Sequence, residues 1–219
     1  MSKHAQSTDT RVHDRIKRHP AGWVFSQADF LDLGSPTAIR LALMRHAREG
    51  TIRRISRGLY DVPRRLPRVG PLPPPSDKIV RAVQGRDRSR VLPSGAHAAN
   101  LLGLSQQVPV RAVFLTDGRS RAVHLGKNQI LFKHASARQM AVADRISGTV
   151  VQALRWLGRS HVDQNTVATL RRRLSDRDKK QLMQDLRFAP AWVADIMRQV
   201  ATAHFREMRR LPMAARSLP

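Results

Sequence analysis

Six of the thirteen prolines fall between residues 63 and 75, in Pro-Arg-Arg-Leu-Pro-Arg-Val-Gly-Pro-Leu-Pro-Pro-Pro. Each proline removes a backbone donor and favours extended chain, so neither a helix nor a central strand is expected across this window. That divides the 219 residues into a short segment, 1–62, and a longer one, 76–219, joined by a semi-rigid linker at 63–75. With few core contacts expected across the linker, each part should fold alone.

The short segment reads as helix, helix, helix, hairpin. Val12 and Ile16 give residues 10–18 an apolar side before Pro20. Gly22-Trp23-Val24-Phe25 is extended. Ser26 suits an N-cap, with Asp29 three residues on, and Phe30 and Leu33 supply the apolar face up to Gly34. Ser35-Pro36 opens a third helix that runs to Glu49 and stops at Gly50. Its core face is Ile39, Ala42, Leu43 and Ala47. Then Ile52, Ile55, Leu59, Tyr60 and Val62 flank a Ser56-Arg57-Gly58 turn, which is hairpin material. Three helices and a hairpin within about 60 residues is the order of a winged helix-turn-helix domain, whose second motif helix reads a major groove.

Charge points the same way. Lys and Arg number 40 against 16 Asp and Glu, a formal net charge of +24. Hydrophobic residues at 41% are enough for packed cores, so the excess reads as surface aimed at a polyanion, nucleic acid first. Aromatics at 5% disfavour a surface of stacked bases. Both segments are basic, with 14 basic and 6 acidic residues before residue 76 and 26 and 10 after it.

On the third helix, Thr37, Arg40, Leu41, Met44 and Arg48 lie opposite the core face, and Ser35 at its start suits a phosphate. Arg45 sits at the core boundary, where it could brace the fold as readily as touch DNA. The hairpin adds Arg53, Arg54 and Arg57, placed to grip phosphates or enter a minor groove. The plain alternative is a solvated helix face and a charged edge strand. A second basic surface is Arg171, Arg172, Arg173, Lys179 and Lys180. It is either another solvated helix face or a contact for a polyanion or acidic partner.

The longer segment mixes strands and helices. A helix with Ile79, Val80 and Val83 follows a Ser76 cap, and Val91-Leu92 is a short strand. Pro93–Leu104 is a small-residue helix. Val110–Thr116, Ala122–Leu125 and Ile130–Phe132 form a meander with an Asp117-Gly118 turn. From Ser136 the apolar residues fall at helical spacing, through Val150, Leu154, Val167, Leu170, Leu182, Met197 and Val200, and the last ten residues should fray.

Several chemistries are disfavoured. The chain has no cysteine, so disulfides, thiolate metal sites and Cys nucleophiles drop out. Nine histidines include no helix pair with an intervening glutamate, and His97 among small residues reads as a packed histidine. Asp176 and Asp178 sit at a helix start, where acids favour the dipole. No P-loop, dinucleotide fingerprint or nucleophile elbow occurs. The reading is therefore of a protein that is not an enzyme and needs no metal or cofactor. No apolar stretch reaches the roughly 18–20 residues of a membrane span, and the N-terminus lacks the apolar run of a signal peptide, so a cytoplasmic protein with no membrane partner is expected.

The run Gly34–Gly50, followed by Ile52–Tyr60, resembles the N-terminal winged helix of AbiEi-type antitoxins, which belong to type IV toxin–antitoxin (abortive infection) systems. Pro93–Ser105 and then Val113–Gly118 resemble the second part of the same group. The resemblance covers residues 20–62 and, more loosely, 91–133. It implies an α+β protein: an N-terminal winged helix-turn-helix plus a C-terminal mixed domain with a small antiparallel sheet and several helices. The first domain would repress its own operon through inverted repeats in double-stranded DNA. The second would counter a nucleotidyltransferase-like toxin, directly or only functionally. It places groove reading on Thr37, Arg40, Leu41 and Met44, and the wing on Arg53, Arg54 and Arg57. His46, at a helix position where an apolar residue is expected, departs from the pattern, as does the basic C-terminal half. The alternatives are an RNA-binding or ribosome-associated basic protein, and an orphan DNA-binding regulator without a toxin.

Overall fold

Helix α1 (Thr8–Arg18) starts where the Ser7 hydroxyl accepts the Thr10 N–H, and it buries Val12 and Ile16. Strand β1 (Val24–Phe25) leads into a 3₁₀ turn, Gln27–Phe30, opened by a Ser26/Asp29 capping box. The second expected helix is thus a single tight turn, because four residues separate its cap from the loop before Ser35. Helix α2 (Pro36–Arg48) is followed by strands β2 (Arg53–Ser56) and β3 (Leu59–Asp61). These strands form an antiparallel sheet in the order β1-β3-β2. Phe25, Phe30, Ile39, Leu43 and Ile52 are fully buried with Val12 and Ile16 in one core. Each such side chain contributes roughly 1.5–3 kcal/mol.

The proline-rich window is not a plain linker. Strands β4 (Arg64–Leu66) and β5 (Gly70–Leu72) pair antiparallel, with Arg64 opposite Leu72, Arg65 opposite Pro71 and Leu66 opposite Gly70. Pro63, Pro67 and the Pro73–Pro75 run flank these strands, and Pro71 lies in a two-stranded ribbon where every strand is an edge, so no ladder is broken. Helix α3 (Ser76–Asp87) then follows Pro75, with Ser76 as its first residue rather than its cap.

The rest of the chain builds β6 (Val91–Ser94), α4 (Gly95–Leu101), β7 (Arg111–Thr116), β8 (Arg121–Leu125) and β9 (Asn128–His134). It continues through α5 (Ala137–Met140), α6 (Ile146–Leu157), α7 (Gln164–Arg173), α8 (Asp176–Gln184) and α9 (Ala191–Arg210). The four-stranded sheet runs β6-β7-β9-β8. Pro93 is tolerated because β6 is an edge strand. The fold is α+β, as the sequence implies. The computed structural model describes residues 7–68, 70–107, 111–126 and 128–210, with side chains to Thr202. Val110, expected in the β7 strand, and 211–219, nearly all of the stretch expected to fray, lie outside the described residues.

The molecule divides into two units at places the linker reading did not anticipate. The first is 1–89 together with 121–130, and the second is 90–120 together with 131–219. Residues 63–75 and α3 belong to the first unit, so the boundary falls after Ser89. In the second unit, residues 147–154 of α6 are buried all round, packed with Ala98, Leu102, Val167, Leu170, Leu182 and Met197. Buried Asp185 accepts hydrogen bonds there from Arg145 at 2.6 Å, from the Ser147 hydroxyl and from Gln181 at 3.0 Å.

Candidate nucleic-acid interface

The outward face of α2 follows from how its inward face is held. The Ser35 hydroxyl accepts the Ala38 N–H at 3.3 Å and Pro36 supplies the first helical position. Ile39, Ala42, Leu43 and His46 are buried. Thr37, Arg40, Leu41, Met44, Arg45 and Arg48 are consequently exposed, as is Ser35 itself. Leu41 is 49% and Met44 37% exposed, so two large apolar side chains stand in water between arginines. Gln27 donates to the Pro36 carbonyl at 2.6 Å and fixes the 3₁₀ turn against the helix start.

Below this face lies a polar seam between α1 and α2. The His13 and His46 rings stack with centroids 5.1 Å apart. His46 Nδ1 lies 3.2 Å from Glu49, and Arg45 reaches Asp9 at 2.9 Å. Arg45 therefore braces the helix pair, the structural role its position allowed. Arg15 forms a fork to Asp32, both bonds at 2.6 Å, and donates to the Asp29 carbonyl at 2.8 Å. The Arg15 guanidinium holds the Asp32 carboxyl below its ordinary range. This fork anchors α1 to the turn that delivers α2.

On the hairpin the three arginines separate. Gly58 sits at φ +71°, the left-handed geometry that the turn requires and glycine adopts freely. Arg54 and Arg57 are exposed, and among the described residues neither side chain meets an acid. Arg53 is different. It pairs across the sheet with Asp61, donating to both carboxylate oxygens at 3.0 and 2.6 Å, and gives a further bond to the Leu72 carbonyl at 2.8 Å. With Asp61 wholly buried, Arg53 is its counter-ion. The sequence carries only part of this signal. Asp61 is the one acid in residues 53–68, and the bulge between Arg54 and Ser56 shifts the register so that position 53, not 54, stands opposite it.

The second basic surface also resolves into structural parts. Arg171 donates to the Gln199 carbonyl at 3.3 and 2.8 Å, and Arg172 to the Thr169 hydroxyl at 3.3 Å. Arg173 lies against Gly103 so closely that a Cβ there would collide with its guanidinium. Lys179 reaches Asp176 at 3.5 Å, and Lys180 is exposed. Arg171–Arg173 also end α7, where cations suit the helix dipole. His97, expected as a packed histidine, stands 4.9 Å from the Phe114 ring, and burial pushes its pKa below the ordinary histidine value. Among the described residues, no group of three or more His, Asp or Glu is arranged to hold a metal ion.

A model for a family of unknown function, DUF6088, matches residues 11–182. The chain belongs to the DUF6088 family. No curated protein matches it. The DUF6088 match includes α2, both hairpins and the arginines of α7. Among the described residues of this DUF6088 protein, no helix is long and apolar enough to cross a membrane.

Proposed function

We propose that the protein is a DNA-binding transcriptional autorepressor with a winged helix-turn-helix in its first unit, acting in the cytoplasm as the antitoxin of a type IV toxin–antitoxin system. The observation that carries the DNA reading is the outward face of α2. Arg40 and Arg48 flank exposed Leu41 and Met44 on a helix whose other side is fixed by a complete core. A major groove suits this mixture of side chains, since arginine pairs with guanine and apolar groups meet the thymine methyl. Arg54 and Arg57 on the neighbouring hairpin supply backbone contacts. The antitoxin role, with a nucleotidyltransferase-like toxin as counterpart, rests on the resemblance of residues 34–60 and 93–118 to AbiEi-type proteins. The protein acts by binding, not by turnover.

The test is fluorescence anisotropy with three labelled probes: a duplex from upstream of the protein's own reading frame, a random duplex and a hairpin RNA. The upstream duplex should bind tightest. If six to eight cations reach phosphates, log K should fall against log salt with a slope of about −5 to −7. Preference for the RNA would replace the DNA reading. Co-expression with a neighbouring nucleotidyltransferase-like product, scored by growth, tests the antitoxin part.

A further inference from the structure

The segment 53–68 carries six arginines and one acid. That acid, Asp61, is taken by Arg53. The remaining five, Arg54, Arg57, Arg64, Arg65 and Arg68, meet no acidic side chain among the described residues. Two belong to the wing. The other three belong to the β4–β5 hairpin, in the stretch that reads as a linker in sequence.

We propose that the β4–β5 hairpin is a second DNA-gripping arm, with Arg64, Arg65 and Arg68 on duplex phosphates beside the wing. This rests on the DNA reading above and extends the surface it uses. Four observations support it. Arg64, Arg65 and Leu66 are all exposed, so this strand serves no core. An isolated two-stranded ribbon is marginal in water, and something must justify keeping its shape. Arg53 supplies an anchor, joining Asp61 at the base of the wing to the Leu72 carbonyl at the end of β5. The ribbon is thereby held beside the wing instead of trailing from it. A cleft of about 290 Å³ lined by Arg54 and Ile55 on one side and Pro71 and Pro73 on the other confirms that the two hairpins are neighbours.

The fourth observation is at the tip. Arg68 has φ +67°, in the left-handed region that glycine or asparagine normally occupies. A non-glycine residue there costs stability, so an arginine at the tip is bad for the fold. Its guanidinium is useful to a partner that approaches the ribbon end-on. Duplex phosphate is the matching chemistry, because it accepts from arginine at any base sequence.

The geometry gives the test a separable readout. Arg68→Gly should leave the melting temperature unchanged or raise it, while weakening duplex binding. A merely structural Arg68 would give no binding loss. Arg64→Ala, Arg65→Ala and Arg68→Gly together should flatten the salt slope by about 2 to 3, since each phosphate contact contributes about 0.9. Affinity for a 30-base-pair random duplex should fall roughly ten- to hundredfold near physiological salt. Preference for the upstream duplex over the random one should persist. The full-length protein, its Arg57→Ala variant and the triple variant are titrated side by side. If the triple variant binds like wild type while Arg57→Ala binds more weakly, the arm is overturned and the DNA reading stands. If wild type shows no salt-dependent duplex binding, both fall. If the triple variant loses affinity for hairpin RNA but not for duplex, the partner assigned here is wrong.

Discussion

At the residue scale, neighbouring arginines of one sequence pattern have unrelated roles. Arg40 is exposed on α2, where its guanidinium donates to the Met44 sulfur at 3.9 Å. Arg40→Ala should therefore leave stability within about 0.5 kcal/mol and cost roughly 1–3 kcal/mol at the preferred duplex, relaxing choice at one or two base pairs. Arg57→Ala should weaken preferred and random duplexes alike. Equal losses on both duplexes from Arg40→Ala would move Arg40 to a phosphate. Arg53→Ala should behave in the opposite way. It strands the buried Asp61 carboxylate, and removing one partner of such a pair costs about 2–4 kcal/mol once the partial exposure of Arg53 is allowed for. Thermal unfolding should show that loss, and Asp61→Asn should recover part of it in the Arg53→Ala background. Composition alone makes the three arginines of the β2–β3 hairpin look equivalent. Only the strand register, a long-range property, tells a counter-ion from a free cation.

At the element scale, local backbone chemistry accounts for where helix α2 and the β2–β3 turn begin. Ser35-Pro36 and Gly58 fix the start of α2 and the β2–β3 turn through their own backbone chemistry, and both stand where expected. The β4–β5 ribbon runs against the local signal, because its prolines argue against strands, and they are tolerated only because 64–66 pair with 70–72 in a ribbon whose strands are both edges. Buried His46 was legible as an oddity, but its stacking on His13 needs α1 laid against α2. That docking is tight at one point. A Cβ on Gly34 would sit 2.7 Å from the Thr8 hydroxyl oxygen and 2.8 Å from its methyl carbon. Gly34→Ala should cost about 1–3 kcal/mol by overpacking. Adding Thr8→Ala, which removes both atoms, should return most of it. A Gly34→Ala protein as stable as wild type in chemical denaturation would show that α1 gives way at no cost.

At the scale of the whole molecule, acid should weaken the fold in two stages. His97 titrates below its ordinary value of 6.5 because burial disfavours the charged ring. The unfolded chain therefore takes up the proton first, and stability falls as pH drops through 6.5 towards the folded value. The Asp32, Asp117 and Asp163 carboxyls are held below 3.8, so their contribution is intact above that value and is lost below it. Melting temperatures between pH 7.5 and 5.5 should decline, and His97→Gln should flatten that decline while leaving the lower stage in place. A wild-type profile flat over this interval would remove His97 from the account.

The division into units has a consequence for how the protein is made. The first unit takes residues 1–89 and then 121–130, with a piece of the second unit between them. A nascent chain leaves the ribosome from its N-terminus, and domains usually complete themselves in that order. Here the first unit cannot be finished when its first 89 residues emerge. It must wait until residue 130 is free, by which time the second unit is already under way. A fragment ending at residue 65 lacks both α3 and the returning strand β8, and so stops short of the first unit. Completion of the first unit is thereby tied to synthesis of more than half the chain, and termination before residue 130 leaves that unit incomplete.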